Sequence, residues 1–200
     1  MHQTAQHVEV RTAAGQVYRA AKVLIATGGF CNAKPLLLQP LEVMVYARTI
    51  VLMELDAAEV ARLRGMPSVI YRPQEEAERC YILPPIRYPN GKYYVKIGGH
   101  PNDPTLNSLA ELQAWFRSPG HKAAAQFLAA KLHAVIRDLR PVATHTESCV
   151  TTHTPTEQLY ADKLEGGRVG ILVGGNGSAA KSSDEIDRLG ALMMQHEHWV

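Results

Sequence analysis

The 200 residues are 46% hydrophobic and 20% charged, the balance of an ordinary soluble globular protein with material for one substantial core or two small ones. A formal charge of +2, with no Lys/Arg cluster, leaves no electrostatic footprint for nucleic acid, and no apolar stretch approaches a membrane span. Three widely spaced cysteines, Cys31, Cys80 and Cys149, form no C-x-x-C and argue against a disulfide framework or a zinc site. That cysteine usage, with no secretory signal in Met1–Gln6, makes the cytoplasm the expected compartment.

The chain opens with the alternating run His7-Val8-Glu9-Val10-Arg11 and a turn at Ala14-Gly15-Gln16, a β-turn-β pattern. Next comes Lys22-Val23-Leu24-Ile25-Ala26-Thr27-Gly28-Gly29-Phe30, an apolar run ending in small residues. This predicts a buried strand whose carboxyl end lies near a ligand, because residues without bulk let the backbone approach closely. Residues 41–146 predict an antiparallel layer with helices. Val43–Leu52 is rich in β-branched residues, and Asn90-Gly91 is a hairpin turn between two strand-like runs. Ser108–Phe116 and Lys122–Leu139 carry helical spacing, with Ser108 as a cap and Pro119-Gly120 between them. Residues 147–200 hold a strand near Cys149, a strand over Arg168–Val173, a glycine-rich turn and a helix from about Ser182. Ser182 or Ser183, with Asp184 or Glu185 in the first turn, predicts a capped helix start. The outer zones share a strand-then-glycine form that the middle zone lacks. The simplest reading is a discontinuous nucleotide-binding domain, 1–40 and 147–200, with a substrate domain inserted at 41–146.

Three segments could carry chemistry. A strand over Tyr93–Gly98 places Tyr94, Lys96 and Gly98 on one face and Tyr93, Val95 and Ile97 on the other. The second face suits a core. The first is either the wall of a polar cavity or simply a solvated sheet face. The run Gly174-Gly175-Asn176-Gly177-Ser178 after a strand and before a helix brings free N–H groups and a positive helix end to one spot, which suits an anion. It is equally a tight turn without a ligand, and Ala180 before Lys181 rules out a Walker A loop. Cys149 in a β-rich segment reads as a small buried hydrophobe on its own. The histidines have no metal-binding spacing, and G-x-S-x-G is absent.

Together these segments resemble the D-amino-acid-oxidase-like family of FAD-dependent oxidoreductases, most closely its sarcosine oxidase branch. Four blocks match in order: Val23–Asn32, Pro89–His100, Ser148–Asp162 and Ile171–Lys181. The resemblance implies an α/β fold, α+β overall. It consists of an incomplete FAD-binding Rossmann-like domain with an inserted antiparallel-sheet substrate domain. It implies FAD as cofactor, with Thr27, Gly28, Gly29 and the turn Gly174, Gly175, Asn176, Gly177 and Ser178 beside it. Cys149 matches the cysteine that carries a covalent flavin thioether. Lys96 matches the lysine that activates oxygen, His100 an active-site histidine, Tyr94 a pocket tyrosine, and Lys181 the lysine that pairs with a substrate carboxylate. The implied substrate is a small amine or amino acid, and molecular oxygen the implied acceptor.

Two departures stand out. The last block lacks the family's aromatic residues, and no G-x-G-x-x-G occurs to cradle the FAD pyrophosphate. The expectation is therefore a C-terminal portion of such an oxidase, with a complementary chain carrying the fingerprint as a partner. The rival expectations are a non-catalytic remnant or partner subunit that keeps the substrate-domain fold, and a generic anion-binding α/β module.

Overall fold

Alternation dictates the first elements. In the computed structural model, which describes residues 1–32, 36–37, 39–75, 78–99 and 103–196, β1 (His2–Gln3) precedes β2 (Val8–Arg11) and β3 (Val17–Ala20). Val8 is fully buried, while Glu9 faces outward and pairs with Arg19 at 3.2 Å. Gly15 turns the chain with φ +85, a left-handed conformation that glycine adopts without a Cβ penalty. The apolar run after it gives only a short strand, β4 (Val23–Ile25), and the glycine pair folds as a single 3-10 turn over Gly28–Phe30.

In the middle of the chain β5 (Met44–Leu55) runs three residues beyond the expected strand. It is followed by α1 (Ala57–Arg62), which the apolar spacing does not announce. Its start is written in Asp56, whose side chain accepts from the Glu59 N–H at 2.8 Å. Next come β6 (Val69–Tyr71), β7 (Cys80–Arg87) and β8 (Tyr93–Gly98), with Asn90-Gly91 closing the expected hairpin between β7 and β8 and Gly91 at φ +83. Helix α2 (Leu109–Phe116) starts as expected, with Ser108 Oγ accepting from the Glu111 N–H. Helix α3 (Lys122–Val135) stops short of the expected Leu139. The apolar spacing continues past its end because Ile136 and Leu139 stay in the core, while Ile136 is already extended (φ −101, ψ 98) and Asp138 takes φ +55.

The last elements are β9 (Ala143–His153), β10 (Tyr160–Lys163), β11 (Val169–Val173) and α4 (Ser183–Gln195). The expected side-chain cap of α4 is not made. A 3-10 turn over Ala179–Ser182 leads straight into the helix, and Ser182 sits at φ −127, ψ 22 instead of the extended backbone a capping residue takes. Ser183 Oγ instead donates to the Ala180 carbonyl.

The chain forms two compact units. One comprises Met1–Tyr46, Leu106–Leu112 and Thr151–Val200, the other Ala47–Thr105 and Gln113–Val150. In the first, β1, β2 and β3 make an antiparallel sheet. A second sheet has the order β10-β11-β4, with β10 antiparallel to β11 and β11 parallel to β4. Val8, Ile25, Val169 and Ile171 form its core. Helix α4 lies close on this sheet because Gly190 has no side chain: a Cβ there would come within 2.9 Å of Leu172.

The sheet of the other unit has the order β6-β7-β8-β5-β9. The pairs β6–β7, β7–β8 and β8–β5 are antiparallel. Val51, Met53, Ile82, Val95 and Ile97 meet Leu128 and Leu132 of α3 in the larger core. Val95 and Ile97 thus occupy the core face of β8 that period two assigns them. The fold is mixed α/β with antiparallel sheets, the class the sequence implies. Among the described residues no helix is long and apolar enough to cross a membrane, and no cluster of His, Cys, Asp and Glu could hold a metal.

Candidate functional site

The parallel pairing of β4 and β11 sets Val23 beside Val169 and Ile25 beside Ile171. Both strands therefore end at the same edge of the sheet, where ligands of open α/β sheets are held. The segments that leave this edge are Thr27–Gly29 and Gly174–Ser178, so two stretches distant in sequence come together. Gly28 is exposed at φ +52, with nothing within 4 Å of the point a Cβ would occupy. Its backbone is open to the close approach of a flat ring or an anion. Gly29 beside it is buried.

The glycine turn is knotted more tightly than a strand-turn-helix pattern suggests. Asn176 takes φ +51 and ties the turn to the end of β9. Its N–H donates to the Thr152 carbonyl at 2.8 Å, and its Oδ1 accepts from the Thr154 N–H at 2.9 Å. The Ser178 and Ala179 N–H groups both donate to the Gly175 carbonyl. These bonds occupy the N–H groups of Asn176, Ser178 and Ala179, which a plain strand-turn-helix pattern leaves free. Lys181 is exposed in the 3-10 turn that follows.

Gly174 is the stiffest point. It takes φ +85, and a Cβ there would lie 2.4 Å from Thr154 Cγ2, a side chain only 2% exposed and bonded to the Gln158 carbonyl. Gly174→Ala is expected to destabilise the first unit by about 2–4 kcal/mol, the left-handed penalty and the clash together. Chemical denaturation followed by circular dichroism checks this, and Gly15→Ala provides the reference for strain without a clash, since nothing lies within 4 Å of its Cβ point.

In the second unit the polar face of β8 is built across strands. Gly98 lies opposite Tyr81 and Ile50, Lys96 opposite Leu83 and Leu52, and Tyr94 opposite Glu54. The bare backbone at Gly98 accommodates Tyr81: a Cβ there would lie 2.6 Å from the phenol oxygen. Lys96 Nζ sits 5.8 Å from the centre of the Tyr81 ring. Burial, helped by nearby Cys149 and Tyr88, pushes the Tyr81 phenol up to about 12, so it stays a protonated donor. Tyr94 is packed and bonded: its ring meets Tyr88 and His145 edge-on at 5.1 and 5.8 Å, and Asn90 Nδ2 donates to its oxygen at 2.9 Å.

Cys149 lies on β9 of the same sheet. Its carbonyl accepts from Trp115 Nε1 at 2.8 Å, which holds the backbone there. Burial pushes its thiol up; Lys96 and Arg48 pull the other way, and Asp103 and Glu147 add to the rise. Arg48 Nη1 meets Asp103 Oδ2 at 2.8 Å.

The expected residues thus fall into two groups. Thr27, Gly28, Gly29, Gly174, Gly175, Asn176, Gly177, Ser178 and Lys181 belong to the first unit, and Tyr94, Lys96 and Cys149 to the second. His100 lies outside the described residues. Tyr81, Arg48, Asp103 and Trp115 emerge only from the structure, since cross-strand register and a long-range ion pair bring them to Lys96 and Cys149.

No protein-family model and no curated protein matches the chain. Solved structures do match. A fructosyl peptide oxidase from E. terrenum superposes with a TM-score of 0.68 at 14% identity, over 94% of this chain and 44% of that one. The fructosamine oxidase of Aspergillus fumigatus (Amadoriase II), in complex with FSA, gives 0.65 at 17% identity over 94% and 43%. This chain shares its fold with such oxidases. A glycine oxidase from Geobacillus kaustophilus gives 0.60 at 14% identity, over 96% of this chain and 46% of the other. The chain spans less than half the length of each of these relatives.

Proposed function

We propose that the chain supplies the C-terminal portion of a FAD-dependent oxidase of the amine or amino-acid type, in the manner of the sarcosine oxidases. The observation that carries this reading is Lys96 beside the Tyr81 ring in the sheet that also holds Cys149, in a fold shared with oxidases. The open, left-handed backbone at Gly28 fits a flat ring. No G-x-G-x-x-G occurs in this sequence, so the pyrophosphate of FAD falls to a segment bearing that fingerprint, whether in the same polypeptide or in a partner.

A bound flavin would supply a hydride acceptor for the carbon that carries the substrate nitrogen. Thr27–Gly29 and Gly174–Ser178 hold its ring through backbone groups. The exposed ammonium of Lys181 pairs with a substrate carboxylate, and the family resemblance gives Tyr94 and His100 roles toward the substrate. Lys96 supplies positive charge to oxygen as it takes up electrons. Cys149 is the attachment point for a thioether.

Riboflavin tests the reading, because it carries the ring without the pyrophosphate. Its fluorescence is expected to fall saturably as the chain is added, whereas chain purified without added flavin is expected to be colourless. An unchanged signal with protein in large excess would overturn the flavin assignment. Stoichiometric FAD retained through purification would overturn the division of the site between two segments. In FAD-loaded protein, colour left in an acid-precipitated pellet reports the Cys149 thioether, and a colourless pellet removes it.

A further inference from the structure

Tyr81 has no place in the roles that the sequence assigns, yet it shares the polar face of β8 with Lys96. Both side chains are partly buried. Among the described residues neither the Lys96 ammonium nor the Tyr81 hydroxyl makes a hydrogen bond or an ion pair, and the ammonium stands 5.8 Å from the centre of the Tyr81 ring. Register makes the two heads neighbours. Tyr81 lies opposite Gly98, and a Cβ at Gly98 would be 2.6 Å from the phenol oxygen, so the phenol fills the space a side chain at residue 98 would take. That space adjoins Lys96 on the same face, two residues or about 7 Å along the strand. The cross-strand positions around them are aliphatic. Leu83 and Leu52 flank Lys96, and Ile50 lies beside Gly98. Leu52 and Ile50 are buried, and none of the three can accept a hydrogen bond. The ammonium and the hydroxyl are therefore uncommitted donors in apolar surroundings, where the lowered dielectric strengthens any bond they make.

We propose that Tyr81 and Lys96 together hold one small anion, the hydroxyl acting as a second donor beside the ammonium and the ligand making bonds of about 3 Å to each. Two donors of which one is charged select an acceptor that carries negative charge, and the aliphatic neighbours keep the site small. In the oxidase reaction this makes Tyr81 a catalytic residue. Its hydroxyl donates to the oxygen species that faces Lys96 as that species gains negative charge, so the charge is met by a hydrogen bond as well as by a cation. The phenol keeps its proton throughout, since burial pushes it up to about 12. The catalytic role rests on the reading of Lys96 as the residue that meets oxygen, whereas the anion site stands on the geometry of the two donors.

The test titrates azide, a small anion, into the flavin-free chain at constant ionic strength and follows the amide signals of Lys96 and Gly98 by NMR. Saturable shifts are expected at these two residues. Tyr81→Phe is expected to weaken azide binding about tenfold or more, and Lys96→Met to abolish it. Phenylalanine keeps the ring over Gly98, so the unfolding midpoint of Tyr81→Phe is expected within about 2 °C of the parent. No saturable shift in the parent, or equal affinity in Tyr81→Phe, would overturn the proposal. In flavin-loaded protein Tyr81→Phe is expected to slow reoxidation by oxygen about tenfold and to change reduction by substrate less than about twofold. A raised substrate KM with unchanged reoxidation would give the site to a substrate carboxylate and overturn the oxygen role. No flavin enters the azide titration, so its failure leaves the riboflavin result standing, and a failed riboflavin titration leaves the anion site intact.

Discussion

Lys96→Met in the flavin-loaded protein is expected to slow reoxidation by oxygen about 10²–10³-fold while changing reduction by substrate less than about tenfold. The asymmetry follows from where the charge stands. Lys96 is partly buried on the polar face of β8 and lies over Tyr81, so its ammonium acts in a medium that screens it less than water does. Oxygen gains negative charge as it is reduced, and a fixed cation stabilises that charge without reorganisation. The substrate carbon that loses a hydride becomes part of an iminium cation, so that centre offers Lys96 no negative charge to stabilise. Methionine keeps the length of the side chain and a favourable sulfur contact with the Tyr81 ring, so the packing over Gly98 survives. Stopped-flow mixing of pre-reduced protein with oxygen measures one half-reaction, and anaerobic mixing with substrate the other. Equal slowing of the two would remove Lys96 from the oxygen step, whereas Lys96→Arg, which keeps the charge, is expected to recover much of the rate.

The sequence makes β8 legible and its neighbour illegible. Asn90-Gly91 announces the hairpin, and period two correctly sends Val95 and Ile97 to the core. Counting back from the turn fails for β7. Tyr93 lies opposite Arg87 and Tyr94 opposite Ile86, but Lys96 lies opposite Leu83 and Gly98 opposite Tyr81. The register slips by one residue at Pro84-Pro85, where neither residue can donate a ladder hydrogen bond. Without that bulge Ile82 would share the face of Gly98 and Tyr81 would point to the core. The slip is therefore what brings a tyrosine to Lys96. Arg48 and Asp103 are hidden for another reason: an ion pair between a strand and a distant loop leaves no local pattern. The parallel contact of β4 with β11 is equally nonlocal, although each strand-then-glycine segment is readable alone. The apolar spacing outruns the end of α3 because Ile136 and Leu139 stay buried in non-helical backbone.

Leu132→Ala is expected to destabilise the second unit by about 2–5 kcal/mol. Leu132 is fully buried, as is Leu128 one turn earlier, and both belong to the core that includes Val95 and Ile97 of β8. Truncation removes apolar contacts and leaves a cavity that a close-packed sheet can only partly fill. Leu132→Met, which conserves volume, is expected to cost less than about 1.5 kcal/mol, and Val135→Ala on the exposed part of the same helix less than about 0.5 kcal/mol. Thermal unfolding followed by circular dichroism separates the three, at roughly 2–4 °C per kcal/mol for a chain of this size. A Leu132→Ala loss no larger than that of Val135→Ala would mean that α3 is not what buttresses this sheet. The effect should reach the polar face as well. Val95 and Ile97 flank Lys96 on one strand, so a void beneath them frees β8 to shift. The Tyr81–Lys96 contact then loosens although neither residue has been changed.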